Sequence, residues 1–466
     1  MSNTSQYSIE LPLPDSISED NHYQGGITDP IWPDNFDDAL GLNAGPNPTE
    51  RQVDSEVTAT ASGNAADDND EQAVRERYDI EHSGRIARQD FLTILRADVL
   101  ATDRGELQKV LKLLSRFIVE EVERHPSREH IAILEQIPKS YRVTITLGFG
   151  VNLFVDSQGQ DRYGLSSSRP LWLKAMPNFP GDAKDFDPAR QASDLILLIS
   201  SDHPYVNAAI TRYFGEYFNK RFIATHCEDN PRPVLRFYEL EQGFGRKDKR
   251  EFLRFDDGIQ NLQMDRQELE RLVYVEEEDG EPAWCTHGSY LVYRKIRENM
   301  PTWEVFEDAD QECMIGRRKE SGLPLSRQSK DAGGLTPVYE SHTDAADGPL
   351  SAHIRKVQPR RTTYDLFGLD DLERRFLRRP YPFFDGLDSD GRSSNGLHFV
   401  AFMKNIQQQF EHVTNMWQMN PDFPIPGTGV DVLYAREVLS TVDGGYYFCP
   451  PGLRSREDYI GSGMFI

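Results

Sequence analysis

Along the chain, apolar positions follow two periods in turn. The run FLTILRADVL (91–100) is strand-like, and Thr102-Asp103 after it offers a helix cap. Leu107, Val110, Leu111, Leu114, Phe117, Ile118 and Val122 then recur at helical spacing. YRVTITLGFGVNLF (141–154) is β-branched and then punctuated by glycine, which predicts a second strand. DLILLIS (194–200) predicts a third, and His203-Pro204 leads into a helix through Ile210, Tyr213, Phe214 and Tyr217. PVLRFYELEQGFG (233–245) closes a series of βαββαβ type.

A second series follows the acidic turn Glu276 to Glu281. GSYLVYRKIRENM (288–300) reads as a strand, and CMIGRRKESGLPL (313–325) as a helix end and turn. Residues 326–349 are polar and contain glycine, as a long surface loop should. GLHFVAFMKNIQQQFEHVTNMW (396–417) reads as a strand and then an amphipathic helix, and GYYFCPP (445–451) as a closing strand. Two βα-rich halves of similar order, without a repeated sequence, predict a duplicated α+β architecture.

Length agrees, since 466 residues exceed one typical core and favour two domains or one large pseudo-symmetric unit. The boundaries expected are 1–75, 85–275 and 285–460. Charge changes the picture at the first of these. Residues 1–71 hold fifteen acidic side chains and one base, Arg51, so more than half of the net charge of −24 sits there. With its Asp, Asn, Pro, Gly, Ser and Thr, this stretch reads as a disordered or loosely docked extension. Tyr23, Ile31, Trp32 and Phe36 are positions at which part of it can clip onto the body. An acidic chain repels nucleic acid and anionic membranes, so neither is expected as a partner. No apolar run approaches the about eighteen residues of a membrane helix, and no basic, then apolar, leader opens the chain. Cys227, Cys285, Cys313 and Cys449 form no CxxC and fit reduced thiols, while their number also allows two disulfides. The expected location is cytoplasmic.

Candidate chemistry gathers in 353–384, HIRKVQPRRTTYDLFGLDDLERRFLRRPYPFF, which opens on a histidine and is studded with arginine. Upstream, Leu253-Arg254-Phe255-Asp256-Asp257-Gly258 sets acids before a glycine turn. Downstream, Gly396-Leu397-His398-Phe399 runs towards Asn405, Phe410 and Trp417. Taken singly, His353 is an ordinary histidine and the arginines an ordinary solvated face.

Together, and in this order, these stretches resemble the dye-decolorising peroxidase family of haem b peroxidases. The match runs through Asp257-Gly258, His353-Ile354-Arg355 with Pro359-Arg360, Arg378 to Phe383, and Gly396-Leu397-His398-Phe399, and the resemblance spans residues 85–455. It implies two ferredoxin-like halves with antiparallel sheets, and one haem b per chain in the C-terminal half. It assigns His353 as axial ligand to the haem iron, Asp257 as distal acid–base and Arg378 as electrostatic stabiliser. Leu397 and Phe399 would wall the distal pocket, and Arg355 and Arg317 would meet the propionates. The family often places an aspartate in the helix after G-L-x-F, and here the matching residue is Asn405. An amide partner on the far imidazole nitrogen is a weaker acceptor than a carboxylate, so a raised ferric/ferrous potential is expected. Arg254 stands where the motif has its first glycine, and Pro380 replaces the glycine after the arginine pair. Both departures bear on local backbone geometry.

The implied activity is reduction of hydrogen peroxide with oxidation of dye-like, phenolic or other small aromatic one-electron donors. Trp417, Tyr381 and Tyr434 are candidate relays for electrons from donors too bulky to reach haem. Two rival readings stand beside it. One is a haem carrier or iron-releasing haem protein without turnover. The other is a non-catalytic interaction module with a vestigial pocket. A homo-oligomer is left open. The terminal YIGSGMFI lacks the Leu and Lys pattern of tails that dock cargo peroxidases, so no encapsulating shell is expected. His226-Cys227 and Cys285-x-His287 lack zinc-module spacing. Gly243-Phe244-Gly245-Arg246 lacks the Walker lysine, and no nucleophile elbow occurs.

Overall fold

The structure is a computed structural model. It describes residues 89–124, 143–184, 186, 193–226, 231–245, 250–256, 258–262, 266–328, 330, 334–338, 348–358, 370–453 and 458–466. The acidic extension, Cys227 and Pro359-Arg360 lie outside the described residues.

The N-terminal half reads β1 (Phe91–Val99), α1 (Arg104–Arg124), β2 (Thr144–Gly150), β3 (Leu195–Ser201), α2 (Pro204–His226) and β4 (Leu235–Phe244). Its strands lie in the order β4-β1-β3-β2, every pair antiparallel. The cap expected at Thr102-Asp103 is reciprocal. Asp103 Oδ1 accepts from Glu106 N (2.9 Å), while Glu106 Oε2 accepts from Thr102 N (2.7 Å).

The second half follows α3 (Arg266–Leu272) and begins with β5 (Ser289–Glu298), α4 (Met300–Trp303) and α5 (Asp308–Ile315). A two-residue ribbon, β6 (Arg327–Gln328) with β7 (Pro337–Val338), interrupts the expected polar loop. Then come α6 (His353–Val357), β8 (Leu377–Arg378), β9 (Tyr381–Leu387), β10 (Ser393–Met403), α7 (Val432–Ala435) and β11 (Leu439–Cys449). The order β11-β5-β10-β8 repeats that of the first half, so the expected duplicated ferredoxin-like architecture is borne out. The helix expected after β10 is wider than an α-helix. Glu411 N bonds to Ile406 O (2.9 Å) and Met419 N to Thr414 O (2.8 Å), five residues back in each case.

The halves do not keep separate sheets. Tyr447 pairs with Gly150 and Phe448 with Phe149, joining β11 to β2 in one nine-stranded sheet. Side chains alternate across it. Leu195, Leu197 and Ile199 of β3 meet the core under α1 and α2, whereas Ile196 and Leu198 face a second core shared with Leu291, Tyr293, Val400, Phe402 and Tyr447. The second core therefore lies between the halves, and polar groups fasten its margins. Arg96 of β1 binds Asp443 of β11 through Nη1 and Nη2 (3.2 and 2.8 Å). Lys295 of β5 binds Glu241 of β4 and Asp385 of β9, each at 2.6 Å. Gly243 is what lets β4 come this close, since a Cβ there would lie 2.6 Å from Tyr381 Cβ.

His398 is wholly buried in this interior. Its Nε2 faces the Gln242 carbonyl (3.2 Å), an acceptor, so Nε2 carries the proton and Nδ1 accepts from Tyr293 Oη (3.1 Å). Burial, reinforced by Lys295 and Arg96, pushes its pKa down to about 3. Below the unfolded value of 6.5 the open chain binds a proton that the folded chain refuses, so stability is complete above that pH and is lost on acidification. This group alone is expected to remove up to about 1.4 kcal/mol per pH unit as pH falls from neutral. Urea unfolding at several pH values would show a shallower decline in His398→Gln, and parallel slopes in the two proteins would refute the assignment.

Candidate functional site

His353 is the first residue of α6, and two contacts fix that helix. Gly316 ends α5 at φ 92°, and a Cβ there would lie 2.7 Å from Ile354 Cγ1, so the Ile354 side chain of α6 packs directly on the bare backbone at the end of α5. Val432 N donates to Ser351 O (3.0 Å), tying the start of α7 to the residues before α6. The same junction carries Asp431, fully buried, whose Oδ1 caps α7 by accepting from Leu433 N (3.0 Å). Its Oδ2 lies 2.7 Å from His353 Nδ1. A carboxylate only accepts, so Nδ1 holds the proton and the Nε2 lone pair is left for a ligand.

His353 lines a cavity of about 270 Å³. Apolar walls come from Leu253, Phe255, Ile296, Leu397, Phe399 and Phe410. Leu397 and Phe399, two apart on β10, point into it together as alternation requires. Arg378 lines it from β8 and is held at three points. Its N donates to Asn261 Oδ1 (2.9 Å), its O accepts from Asn261 Nδ2 (2.7 Å), and Nη2 donates to Ile259 O (3.0 Å). The guanidinium is thereby moored to the turn that follows the acids at 256 and 257. Asp257 lies outside the described residues; Asp256 and Gly258 on either side of it line the cavity.

The two departures from the family pattern have physical outcomes. Arg254 adopts φ 71°, the left-handed conformation that glycine takes without strain. Arg250 Nη1 supports this peptide by donating to Arg254 O (2.7 Å). Pro380 has no N–H, and the ladder along β10 breaks there. Arg379 N still reaches Val400 O (2.7 Å), and pairing resumes only at Tyr381 opposite His398.

Basic groups ring the cavity. Arg317 lines it, with Nη1 donating to Gly322 O (2.9 Å) and Leu335 O (2.8 Å). Arg294, Arg374 and Arg375 line it too, and sequence reasoning had not singled out Arg294. Arg294 is paired with Asp182 and lies over the rings of Phe179 (5.0 Å) and Phe410 (5.8 Å). Burial raises the pKa of Asp182 against the pull of Arg294. Burial also lowers the pKa of Arg375, which Glu268 binds at 2.6 Å. Apolar walls, several guanidinium groups and one imidazole with a free nitrogen suit a flat apolar ligand that carries carboxylates and a metal.

Two expected residues are elsewhere. Arg355 is buried and does not line the cavity, because α6 turns it away from the face that His353, Ile354 and Val357 present. Asn405 is not the partner of His353. Its Oδ1 accepts from Gln408 N (2.9 Å) and its N donates to Gln409 Oε1 (2.8 Å), so it starts the wide helix. Asp431 holds the imidazole instead, and the raised potential inferred from an amide partner loses its basis. Of the relay candidates, Tyr434 lines the cavity, with its pKa raised by burial to about 12. Trp417 stacks on Phe423 (5.7 Å), and Tyr381 belongs to the core between the halves. Cys285, Cys313 and Cys449 are free thiols, and no helix among the described residues is long and apolar enough to cross a membrane.

Comparison with known proteins bears on this arrangement. The family model "Dyp-type peroxidase, N-terminal" matches residues 86–221, and "Dyp-type peroxidase, C-terminal" matches 248–454. A protein named deferrochelatase from Yersinia pseudotuberculosis is 26% identical over 395 residues, 81% of each chain. One of the same name from Shigella flexneri is 26% identical over 406 residues, covering 82% of this chain and 86% of its own. The oxyferrous complex of DtpA from Streptomyces lividans superposes with a TM-score of 0.62 at 25% identity, over 82% of this chain and 94% of that one. A DyP-type peroxidase from Cellulomonas bogoriensis gives 0.62 at 23% identity, over 81% and 94%.

Strain at Arg254 is open to a direct check. Arg254→Gly is expected to change stability by no more than about 1 kcal/mol, because relief of φ strain offsets the added freedom of the unfolded chain. Arg254→Val is expected to cost about 1–2 kcal/mol or more, since a β-branched side chain resists positive φ. Equal denaturation midpoints for the two variants would contradict the backbone described.

Proposed function

Because the chain belongs to the Dyp-type peroxidase family, whose two models together span most of its length, we propose that it is a haem b peroxidase. It reduces hydrogen peroxide and oxidises small phenolic, dye-like or other aromatic one-electron donors. The observation that carries this reading is the His353–Asp431 pair, opening on the same cavity as Arg378.

The residues present fit haem. His353 would hold the haem iron through Nε2, while Asp431 fixes the tautomer and would make the imidazole a stronger donor. Arg317 and Arg294 are basic groups on the cavity wall suited to propionates, whereas Arg355 does not line it. When bound, haem supplies an iron that takes up peroxide and accepts its two oxidising equivalents.

The protein's part is proton transfer, charge stabilisation and exclusion of water. Asp257 takes the proton from one peroxide oxygen and returns it to the other, which leaves as water. Arg378, moored through Nη2 to Ile259 O, stabilises negative charge as it builds on that leaving oxygen. Its fixed position means that little reorganisation accompanies the step. Leu397 and Phe399 keep bulk water from competing for these charges. An acidic optimum, with activity falling steeply above the carboxylic acid range, is expected from the resemblance to the family.

A second reading is haem handling with release of iron, favoured by the deferrochelatase names of the matched relatives. One experiment separates them. Purified protein is expected to show a ferric Soret band that hydrogen peroxide converts to an oxidised spectrum, with steady dye oxidation. His353→Ala should lose the band. Asp257→Asn should keep it yet react with peroxide about 100-fold more slowly or worse, the usual range for loss of a proton-transfer group. A Soret band indifferent to peroxide, with iron appearing in a chelator assay, would replace peroxidase with iron release.

A further inference from the structure

The carboxylate that holds His353 has a second donor. Gln418 Nε2 reaches Asp431 Oδ2 at 3.2 Å, the same oxygen that binds His353 Nδ1 at 2.7 Å. The main chain braces this contact, since Asp431 N donates to Gln418 O at 2.9 Å. Oδ1 is occupied by Leu433 N at 3.0 Å, so both oxygens of a fully buried carboxylate are engaged, and Oδ2 serves two donors at once. Gln418 lines the cavity and closes the wide helical segment Val413–Gln418.

We infer that Gln418 is a positioning residue that sets the donor strength of His353 through Asp431. This rests on the haem reading above. Hydrogen bonds to an anion are strong, and in a buried site each added donor withdraws charge from the shared oxygen. An oxygen relieved of part of its charge pulls less on the Nδ1 proton, so the imidazole carries less imidazolate character. A less basic axial ligand favours the ferrous over the ferric state, and Gln418 thereby raises the potential above what a bare aspartate would give. The geometry also assigns the amide its orientation, because a carboxylate facing Oε1 would repel it.

Gln418→Met keeps the length and volume of the side chain and removes the donor. Thr414→Val, one turn earlier on the same cavity wall, perturbs packing without touching Asp431. In the haem-loaded protein, Gln418→Met is expected to retain the Soret band and shift the ferric/ferrous equilibrium about tenfold towards ferric, about −59 mV for one electron. The iron–histidine stretch of the ferrous protein should rise in frequency. Thr414→Val should leave both close to wild type. In the haem-free protein, the His353 Nδ1–H proton resonance should move further downfield in Gln418→Met, as its bond to Asp431 shortens. An unmoved potential with an unmoved proton resonance would overturn the inference, as would equal shifts in Gln418→Met and Thr414→Val. Absence of a Soret band in the wild type would sink the haem reading instead, and the proton resonance would still decide the role of Gln418.

Discussion

The structure depends on the pairing of β2 with β11, which makes one sheet of the two halves. β2 and β11 pair through Tyr447 with Gly150 and Phe448 with Phe149. A Cβ on Gly150 would lie 2.0 Å from Ser193 O, and one on Gly148 would lie 2.8 Å from Ile196 Cγ2 and 3.0 Å from Tyr447 Cβ. The Gly150 approach is to the residues before β3, within the first half, whereas Gly148 is the one that also clears β11, letting Tyr447 lie beside β2 so that the sheet runs on from one half to the other. The rest follows from that continuity. One sheet bearing two sets of strands has a face shared between the halves, where Arg96–Asp443 and Lys295–Glu241 lock partners from opposite halves. Removing one member of such a largely desolvated pair leaves the other charge poorly compensated, so these contacts fix the halves in register.

That shared frame sets the cavity. β5 and β10 lend it one wall through Arg294, Ile296, Leu397 and Phe399. The cavity's polar groups then arrive on segments that have no common element: the turn at 258–261, the stub β8, the start of α6 and the approach to α7. Each is tied to the frame by main-chain bonds, as Arg378 is to Asn261 and Val432 to Ser351. A site assembled this way owes its precision to backbone anchoring more than to any one helix.

Much of this was legible in the sequence, for reasons of period and spacing. All six elements of the first half follow from apolar alternation and helical recurrence, and β10 and β11 from the same signal. His353, Arg378, Leu397 and Phe399 stood out because four motifs occur in order, and all four residues line one cavity. Asp431 was not legible. It lies 78 residues from His353 and serves equally as a helix cap, a role that any Asp before a short helix can fill. Asn405 was preferred on linear distance from the G-L-x-F strand, and linear distance does not report which face of a bent segment meets a ligand. Arg355 failed for the related reason that neighbours on a helix diverge by a wide angle. The single sheet was also hidden, because glycine in a strand signals close approach without naming the partner.

The helix after β10 shows how a local irregularity can be read as structure with a purpose. Its apolar recurrence suits an ordinary helix, yet the hydrogen bonds skip to the fifth residue at Ile406 and again at Thr414. Such turns are less favourable than α-turns and persist where side-chain contacts compensate. Here the compensation is visible at both ends. Gln409 is buried and donates to Leu272 O at 2.9 Å, fastening the start of the segment to α3. Gln418 fastens its end to Asp431 through side chain and main chain together. Two glutamines thus stretch the helix between the element beside Arg375 and the carboxylate behind His353. A regular α-helix over the same residues would shift its last turn relative to its first, and both anchors could not be kept. The irregular backbone and the hydrogen bonding of His353 are therefore one constraint, expressed at two levels of structure.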